Sequence, residues 1–163
     1  MSEIVVIAHN IRSTHNVGAI FRTCEGFGVK RLILSGYTPY PGVKNDKRLP
    51  HITEKLASQI HKSALGAETL VSFEYHETLD LGTLDLAGYR CVALEQAERS
   101  SNLREYVAPA KRALVLGEEV NGLSPEILAQ CPDVIEIPMS GQKDSFNVSV
   151  AAGVTLFEAV RQR

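Results

Sequence analysis

The chain has 163 residues, 44% of them apolar, and a formal net charge of −2 at pH 7. That length fits one domain whose core stands without disulfide or metal support, and the mild acidity excludes a protein that is basic over its whole surface. Cys24, Cys91 and Cys131 are odd in number, far apart and free of CxxC or Cys/His zinc spacing, so neither a disulfide framework nor a metal site is implied and a reducing cytoplasm fits best.

The N-terminus carries Glu3 where a signal peptide needs positive charge, and the apolar run Ile4–Ala8 is too short for a signal core or a membrane span. Neither export nor membrane insertion is expected, and the run reads as a first strand. Val17, Ile20, Phe21, Cys24 and Phe27 then recur at helical spacing, with Gly28 as a C-terminal stop. A strand is predicted over Arg31–Leu34, followed by a long loop from Gly36 to Pro50 punctuated by Pro and Gly. Loops of that length in compact domains tend to be functional or mobile. A helix over Ile52–Leu65 before Gly66, a strand over Thr69–Phe73 and a helix over Glu77–Ala87 before Gly88 come next. Strands at Cys91–Leu94 and Ala113–Leu116, a helix over Ser124–Gln130 with Pro125 in its first position, a strand at Val134–Ile137 and a helix over Val148–Arg161 complete the series. The strand runs are rich in Val, Ile and Leu without alternation, as expected of strands covered on both faces. Strand and helix alternate to the end, the mark of an α/β fold around a largely parallel sheet.

Four regions carry residues suited to chemistry. Between Lys44 and Lys62, the residues Lys44, Lys47, Arg48, His51, Lys55, His61 and Lys62 face only Asp46 and Glu54, a local basic excess that suits phosphates and equally suits a solvated helix face. On the first helix, Asn16 and Arg22 lie off the apolar stripe and roughly 600° apart at about 100° per residue, so they project within a third of a turn of each other. Asn offers a donor and an acceptor, and Arg a rigid fork of donors suited to phosphate. A plainer reading makes Asn16 part of the helix start and Arg22 ordinary surface. Leu114-Val-Leu-Gly-Glu-Glu-Val-Asn-Gly-Leu-Ser runs from a buried strand through a loop with two glycines to an N-cap at Ser124, where open α/β sheets bind ligands. It is neither a P-loop nor GxGxxG. The adjacent acids Glu118 and Glu119 suggest an orienting role for one of them, a solvated turn being the alternative. Finally, Ile137-Pro-Met-Ser-Gly-Gln-Lys-Asp-Ser-Phe-Asn carries an apolar strand end into a polar loop and a helix start at Asn147, with Lys143, Asp144, Ser145 and Asn147 as its polar members. Ser and Asn at a helix start are most often caps. No Ser/His/Asp order, Cys/His pair or metal spacing among the histidines points to a hydrolase.

Taken jointly, Asn16-Val-Gly-Ala-Ile-Phe-Arg22-Thr-Cys-Glu-Gly-Phe-Gly, Leu116-Gly-Glu-Glu-Val-Asn-Gly-Leu-Ser124 and Ile137-Pro-Met-Ser-Gly-Gln-Lys-Asp-Ser-Phe-Asn-Val-Ser-Val-Ala-Ala-Gly153 closely resemble the three motifs of the SpoU/TrmH family of RNA ribose 2′-O-methyltransferases, in the SPOUT superfamily. The resemblance covers essentially the whole chain. It implies a parallel α/β sheet with a deep trefoil knot in its C-terminal part, S-adenosylmethionine bound in the knot loops, and a homodimer. By position, Arg22 matches the family's essential arginine and Asn16 the asparagine that helps set up the catalytic end and the dimer contact. Glu119 matches the second motif's glutamate, and Ser145 and Asn147 the polar pair beside the transferring methyl. Cofactor contacts are expected from Leu94, Gly117, Ile137, Met139 and Phe146, the last standing where most members carry Leu. RNA contacts are expected from Arg22, Lys44, Lys47, Arg48 and Lys55, and the chain reads as a catalytic module without an added RNA-binding domain.

A ribose 2′-hydroxyl is a poor nucleophile until its proton leaves, and it must meet the methyl in line, so positioning should supply much of the acceleration. Guanidinium normally stays protonated, which suits Arg22 to holding substrate phosphate more than to acting as a base. Transfer RNA is the first choice of substrate and ribosomal RNA the second. A fold-sharing RNA-binding protein without activity is the competing reading, against which Arg22, Glu119, Ser145 and Asn147 all count. A Rossmann oxidoreductase would need a glycine-rich turn after the first strand, where this sequence has His9-Asn-Ile-Arg-Ser-Thr-His.

Overall fold

The computed structural model describes residues 3–84 and 86–162. In chain order its elements are β1 (Glu3–His9), α1 (Thr14–Gly26), β2 (Arg31–Ser35), α2 (Pro50–Ala64), a 3-10 turn (Ala67–Thr69), β3 (Phe73–His76), β4 (Arg90–Leu94), β5 (Ser101–Asn102), β6 (Lys111–Leu116), α3 (Pro125–Gln130), β7 (Asp133–Glu136) and α4 (Val148–Arg161). Among the described residues seven strands form one sheet in the order β3-β2-β1-β6-β4-β7-β5, and each neighbouring pair is parallel.

The continuous apolar runs arise because both faces of the sheet are covered. On β1, Ile4, Val6 and Ala8 pack with Val17, Ile20, Phe21 and Cys24 of α1 and with Ala152 and Leu156 of α4. Val5 and Ile7 point the other way, into a second cluster with Leu123, Ile127, Leu81 and Leu86. Burying each large aliphatic side chain contributes roughly 1.5–3 kcal/mol, so the central strands β1 and β6 anchor both layers. Helix bounds follow from caps. Ser13 Oγ accepts from the Asn16 amide at the start of α1, Ser124 Oγ from the Ile127 amide before α3, and Asn147 Oδ1 from the Ser149 amide at 2.9 Å before α4. Gly28, at φ +63°, takes the left-handed turn after α1 that a residue with a β-carbon would resist.

Two expected elements are corrected. Thr69–Phe73 is not a strand: Glu68 accepts from the Gly66 amide at 2.9 Å and closes a 3-10 turn, and the edge strand starts only at Phe73. Of the helix expected over Glu77–Ala87, residue 85 lies outside the described residues, and residues 77–84 and 86–87 are not helical. Asp80 Oδ1 accepts from the Gly82 amide and Asp80 O from the Thr83 amide, which folds the segment into a turn that drops Leu81 and Leu86 into the second cluster. The two-residue strand β5, at the sheet edge beside β7, is too short to leave a sequence signal. Among the described residues no helix is long and apolar enough to cross a membrane, and no group of His, Cys, Asp and Glu has metal-binding geometry.

The crossing of α1 over α2 depends on Gly18. A β-carbon there would lie 2.3 Å from the Ile60 carbonyl oxygen and 2.1 Å from Ser63 Oγ, which itself donates to the His15 carbonyl at 2.8 Å. Gly18→Ala is therefore expected to lower stability by about 1–3 kcal/mol through overpacking, read as a lower urea midpoint at unchanged m-value.

Candidate active site

Because all strands run the same way, the loops after β4, β6 and β7 emerge on one edge of the sheet and meet. They enclose a cleft with about 720 Å³ of unfilled space, part of it open to solvent, which is the size of a small-molecule site. Leu94, Leu116, Ile137, Met139 and Phe146 supply apolar walls, while Glu95, Glu118, Glu119, Glu136 and Ser145 supply polar groups. The loop after β6 folds tightly on itself at Gly117, where a β-carbon would lie 2.7 Å from both Gly122 C and Leu123 N. Gly122 has φ +66° and backs directly onto Glu95, whose carboxylate accepts from the Leu123 amide at 2.9 Å and the Gln96 amide at 3.0 Å. The Gln96 side-chain amide donates to the Asp144 carbonyl, tying in the loop after β7.

At the rim, one chain of hydrogen bonds joins three distant segments. Glu119 accepts from the Arg12 amide at 3.0 Å, the Ser13 amide at 3.2 Å and Asn16 Nδ2 at 3.0 Å. Asn16 Oδ1 accepts from Asn147 Nδ2 at 3.1 Å, and Asn147 Oδ1 in turn accepts from the Ser149 amide and hydroxyl. An ionised carboxylate has only acceptors, so it orients the Asn16 amide, and Asn16 then orients Asn147. Burial pushes the Glu119 carboxyl up, but the Arg12 and Ser13 amides and Asn16 outweigh it and hold the group below the ordinary glutamate value. Its neighbour points elsewhere: the nearly buried Glu118 carboxylate accepts from the Asn121 amide at 2.6 Å, and its other oxygen lies 2.8 Å from Arg12 Nε without hydrogen-bond alignment.

Leu94, Gly117, Ile137, Met139 and Phe146, expected around a cofactor, all line the cleft, as do Glu119 and Ser145. Asn16 and Asn147 reach its rim through the network. Arg22 does not join them within one chain. It is exposed on a separate groove with His15, Lys62 and Gly153, because six residues of helix carry it about 9 Å along α1 while Asn16 turns inward to Glu119. Arg48, expected on phosphate, is a loop strut: it forks onto Asp46, donates to the Tyr40 and Pro41 carbonyls at 3.0 Å, and lies over the Tyr40 ring. Lys44, Lys47 and Lys55 are exposed. Glu95 and Arg12 also shape the site, and no spacing or motif in the sequence marked either one.

Residues 3–157 match the family model described as the SpoU rRNA Methylase family. A tRNA (guanosine(18)-2′-O)-methyltransferase of Aquifex aeolicus is 34% identical over 99% of this chain, which spans 70% of that relative. An AdoMet-bound rRNA methyltransferase from Sinorhizobium meliloti superposes with a TM-score of 0.80 at 25% identity, over 99% of this chain and 57% of that one. A structure described in terms of the 2-OH methylation of C/U34 on tRNA superposes with a TM-score of 0.76 at 25% identity, covering 99% of this chain and 96% of its own.

Glu119→Gln replaces an acceptor that serves three donors with a group that brings its own N–H. The variant is expected to lose about 1–3 kcal/mol at pH 7. Since the folded carboxyl lies below the ordinary glutamate value of 4.5, its contribution is complete above that pH and fades as pH falls through the lowered folded value. Urea denaturation of both proteins across this acid range should therefore show their midpoints converging.

Proposed function

Because this chain belongs to the SpoU rRNA Methylase family, we propose that it transfers the methyl group of S-adenosylmethionine to a ribose 2′-hydroxyl of RNA, with transfer RNA as the substrate. The observation that carries the reading is the Glu119–Asn16–Asn147 chain at the rim of a cleft whose lining suits that cofactor. Apolar walls fit an adenosine, and a carboxylate-lined floor fits a cationic sulfonium. Bound there, the cofactor would supply an electrophilic sulfonium methyl to the ribose oxygen and leave as a neutral thioether, the hydroxyl proton passing to solvent.

The chain's own groups do the positioning. Asn147, its amide fixed by Asn16, and Ser145 would hold the hydroxyl for in-line approach. Lys44, Lys47 and Lys55 offer phosphate contacts on the loop and helix that follow β2. Arg22 binds the phosphate next to the target ribose, and since it lies off the cleft of its own chain, it serves the cleft of a second copy. A homodimer is part of this reading, and α4 supports it. Val150, Val154 and Phe157 lie exposed at i, i+4 and i+7 on one stripe of that helix, and Gly153, on the same stripe, borders the Arg22 groove. The trefoil knot that the resemblance implies is supported by the close approach of the loops after β4 and β6 at Gly122 and Glu95, and by the Gln96 side chain bonding to the Asp144 carbonyl. Transfer RNA is favoured over ribosomal RNA because the tRNA 2-OH methylation structure has a chain of nearly the same extent. Three buried free cysteines support a reducing cytoplasm as the compartment.

The test is transfer of label from S-adenosylmethionine to total RNA from cells lacking the gene, followed by mass spectrometry of the nucleosides. A 2′-O-methylnucleoside in the transfer-RNA fraction is expected. Label in the ribosomal fraction alone would move the substrate, and cofactor binding without transfer would favour the silent RNA-binding reading. In the same assay Arg22→Ala is expected to abolish transfer while calorimetric affinity for S-adenosylmethionine stays within about twofold, and a large loss of that affinity would overturn the division of labour.

Phe157→Asp places a charge in the α4 stripe and is expected to yield a folded monomer by sedimentation that binds cofactor but transfers little methyl. A variant that remains dimeric and fully active would remove α4 from the interface.

A further inference from the structure

A second concavity borders the Arg12–Ser13 segment and is lined among others by Arg12, Tyr37, Tyr40, Leu56, Gln59 and Tyr75. Its walls are unusually firm for a loop region. The Tyr40 ring is held between the Arg48 guanidinium, 3.5 Å from its centroid, and the Tyr75 ring at 3.9 Å, and Tyr75 donates its hydroxyl to the Gly36 carbonyl at 2.6 Å. Tyr37 is seated just as firmly. Its amide donates to Asn10 Oδ1 at 3.1 Å, and the next residue, Thr38, donates to the Ser35 carbonyl while accepting from the Ile11 amide. Yet 56% of Tyr37 is exposed, and the Arg12 side chain, which lines the same groove, is 60% exposed. An aromatic face on a rigid backbone beside an accessible guanidinium matches the chemistry of an unpaired nucleotide: a base to stack and a phosphate to neutralise. The groove also abuts the reaction site, since the Arg12 amide is bonded to Glu119 and Arg12 Nε faces Glu118, both of which line the cofactor cleft.

We propose that this groove is a subsite for a single-stranded nucleotide flanking the methylated one, with its base stacked on Tyr37 and its phosphate on Arg12. The assignment rests on the reading of the protein as an RNA methyltransferase. It adds a recognition requirement: the target ribose must lie in an unpaired stretch, because a base held in a duplex has no free face to offer Tyr37.

The chain contains no tryptophan, so Tyr37→Trp creates a single reporter at the subsite. Its emission is expected to be quenched by short oligouridylate and oligoadenylate, less so as salt rises, and not by an abasic ribose-phosphate oligomer of the same length. Tyr37→Ala is expected to weaken oligonucleotide binding about tenfold and Tyr37→Phe less than about twofold, because phenylalanine keeps the stacking face. Absent quenching, or equal quenching by the abasic oligomer, would overturn the stacking subsite, as would a folded Tyr37→Ala that binds like the parent. The two readings fail separately. Methyl transfer by the parent protein without quenching of the tryptophan variant removes the subsite alone, whereas base-dependent quenching without any transfer keeps the subsite and removes the methyltransferase.

Discussion

The site depends on one carboxylate being satisfied from far along the chain. β1 and β6 are neighbours in register, with Ala8 beside Leu116, so the loops that leave their C-terminal ends start side by side. Glu119, three residues past Leu116, therefore meets the Arg12 and Ser13 amides at the start of α1. Those amides have no partners within the helix and need an acceptor, and a half-buried carboxylate needs donors; each resolves the other's cost. Once Glu119 is fixed, the Asn16 amide has only one favourable orientation, and Asn147 follows from it. The start of α4 is thus keyed to the start of α1 through a pair of side-chain amides, and the rim of the cleft acquires a definite arrangement of donors.

The cleft follows from strand order as much as from local sequence. β4 sits between β6 and β7, which places three C-terminal loops around one point, and close packing at Gly117 and Gly122 then sets how near they come. Larger residues at either position would push the loop after β6 away from Glu95 and open the floor. Apolar side chains line the walls while backbone and carboxylates form the floor, so shape comes from packing and polarity from a few fixed groups.

What was legible in the sequence was whatever local chemistry writes there. Strand runs covered on both faces read as continuous apolar stretches, and α3 and α4 start where Ser124 and Asn147 supply caps. The site residues could be gathered by motif because Asn16, Glu119, Ser145 and Asn147 do come to one cleft edge. What failed did so for identifiable reasons. Leu70 and Val71 imitate a strand, although Leu70 is exposed and a 3-10 turn precedes it. Leu79, Leu81, Leu84 and Leu86 tempt a helical reading, but Asp80 and Gly82 prefer a turn and the leucines pack without helical period. Arg48 shows that composition counts charges without their partners: Asp46, two residues away, pairs with it. Arg22 looked like a companion of Asn16 in angular projection, which ignores distance along the helix axis.

Charge partners also explain how a chain of net charge −2 suits an anionic substrate. At the N-terminal edge of the sheet, cations and anions face each other: Lys30 with Glu3, Lys111 with Glu3, and Arg90 with Asp133. These pairs largely cancel and project little field. At the opposite edge, among the described residues, Lys44, Lys47 and Lys55 take part in no ion pair, and Arg12 keeps much of its guanidinium in solvent although Glu118 lies beside it. Net charge therefore misrepresents the molecule. Carboxylates gather inside the cleft, while the loops around it carry accessible positive groups in Arg12, Lys44, Lys47 and Lys55. An RNA that approached by electrostatic steering would arrive on the edge where the loops after β1, β2 and β6 present Arg12, the lysines and the cleft together.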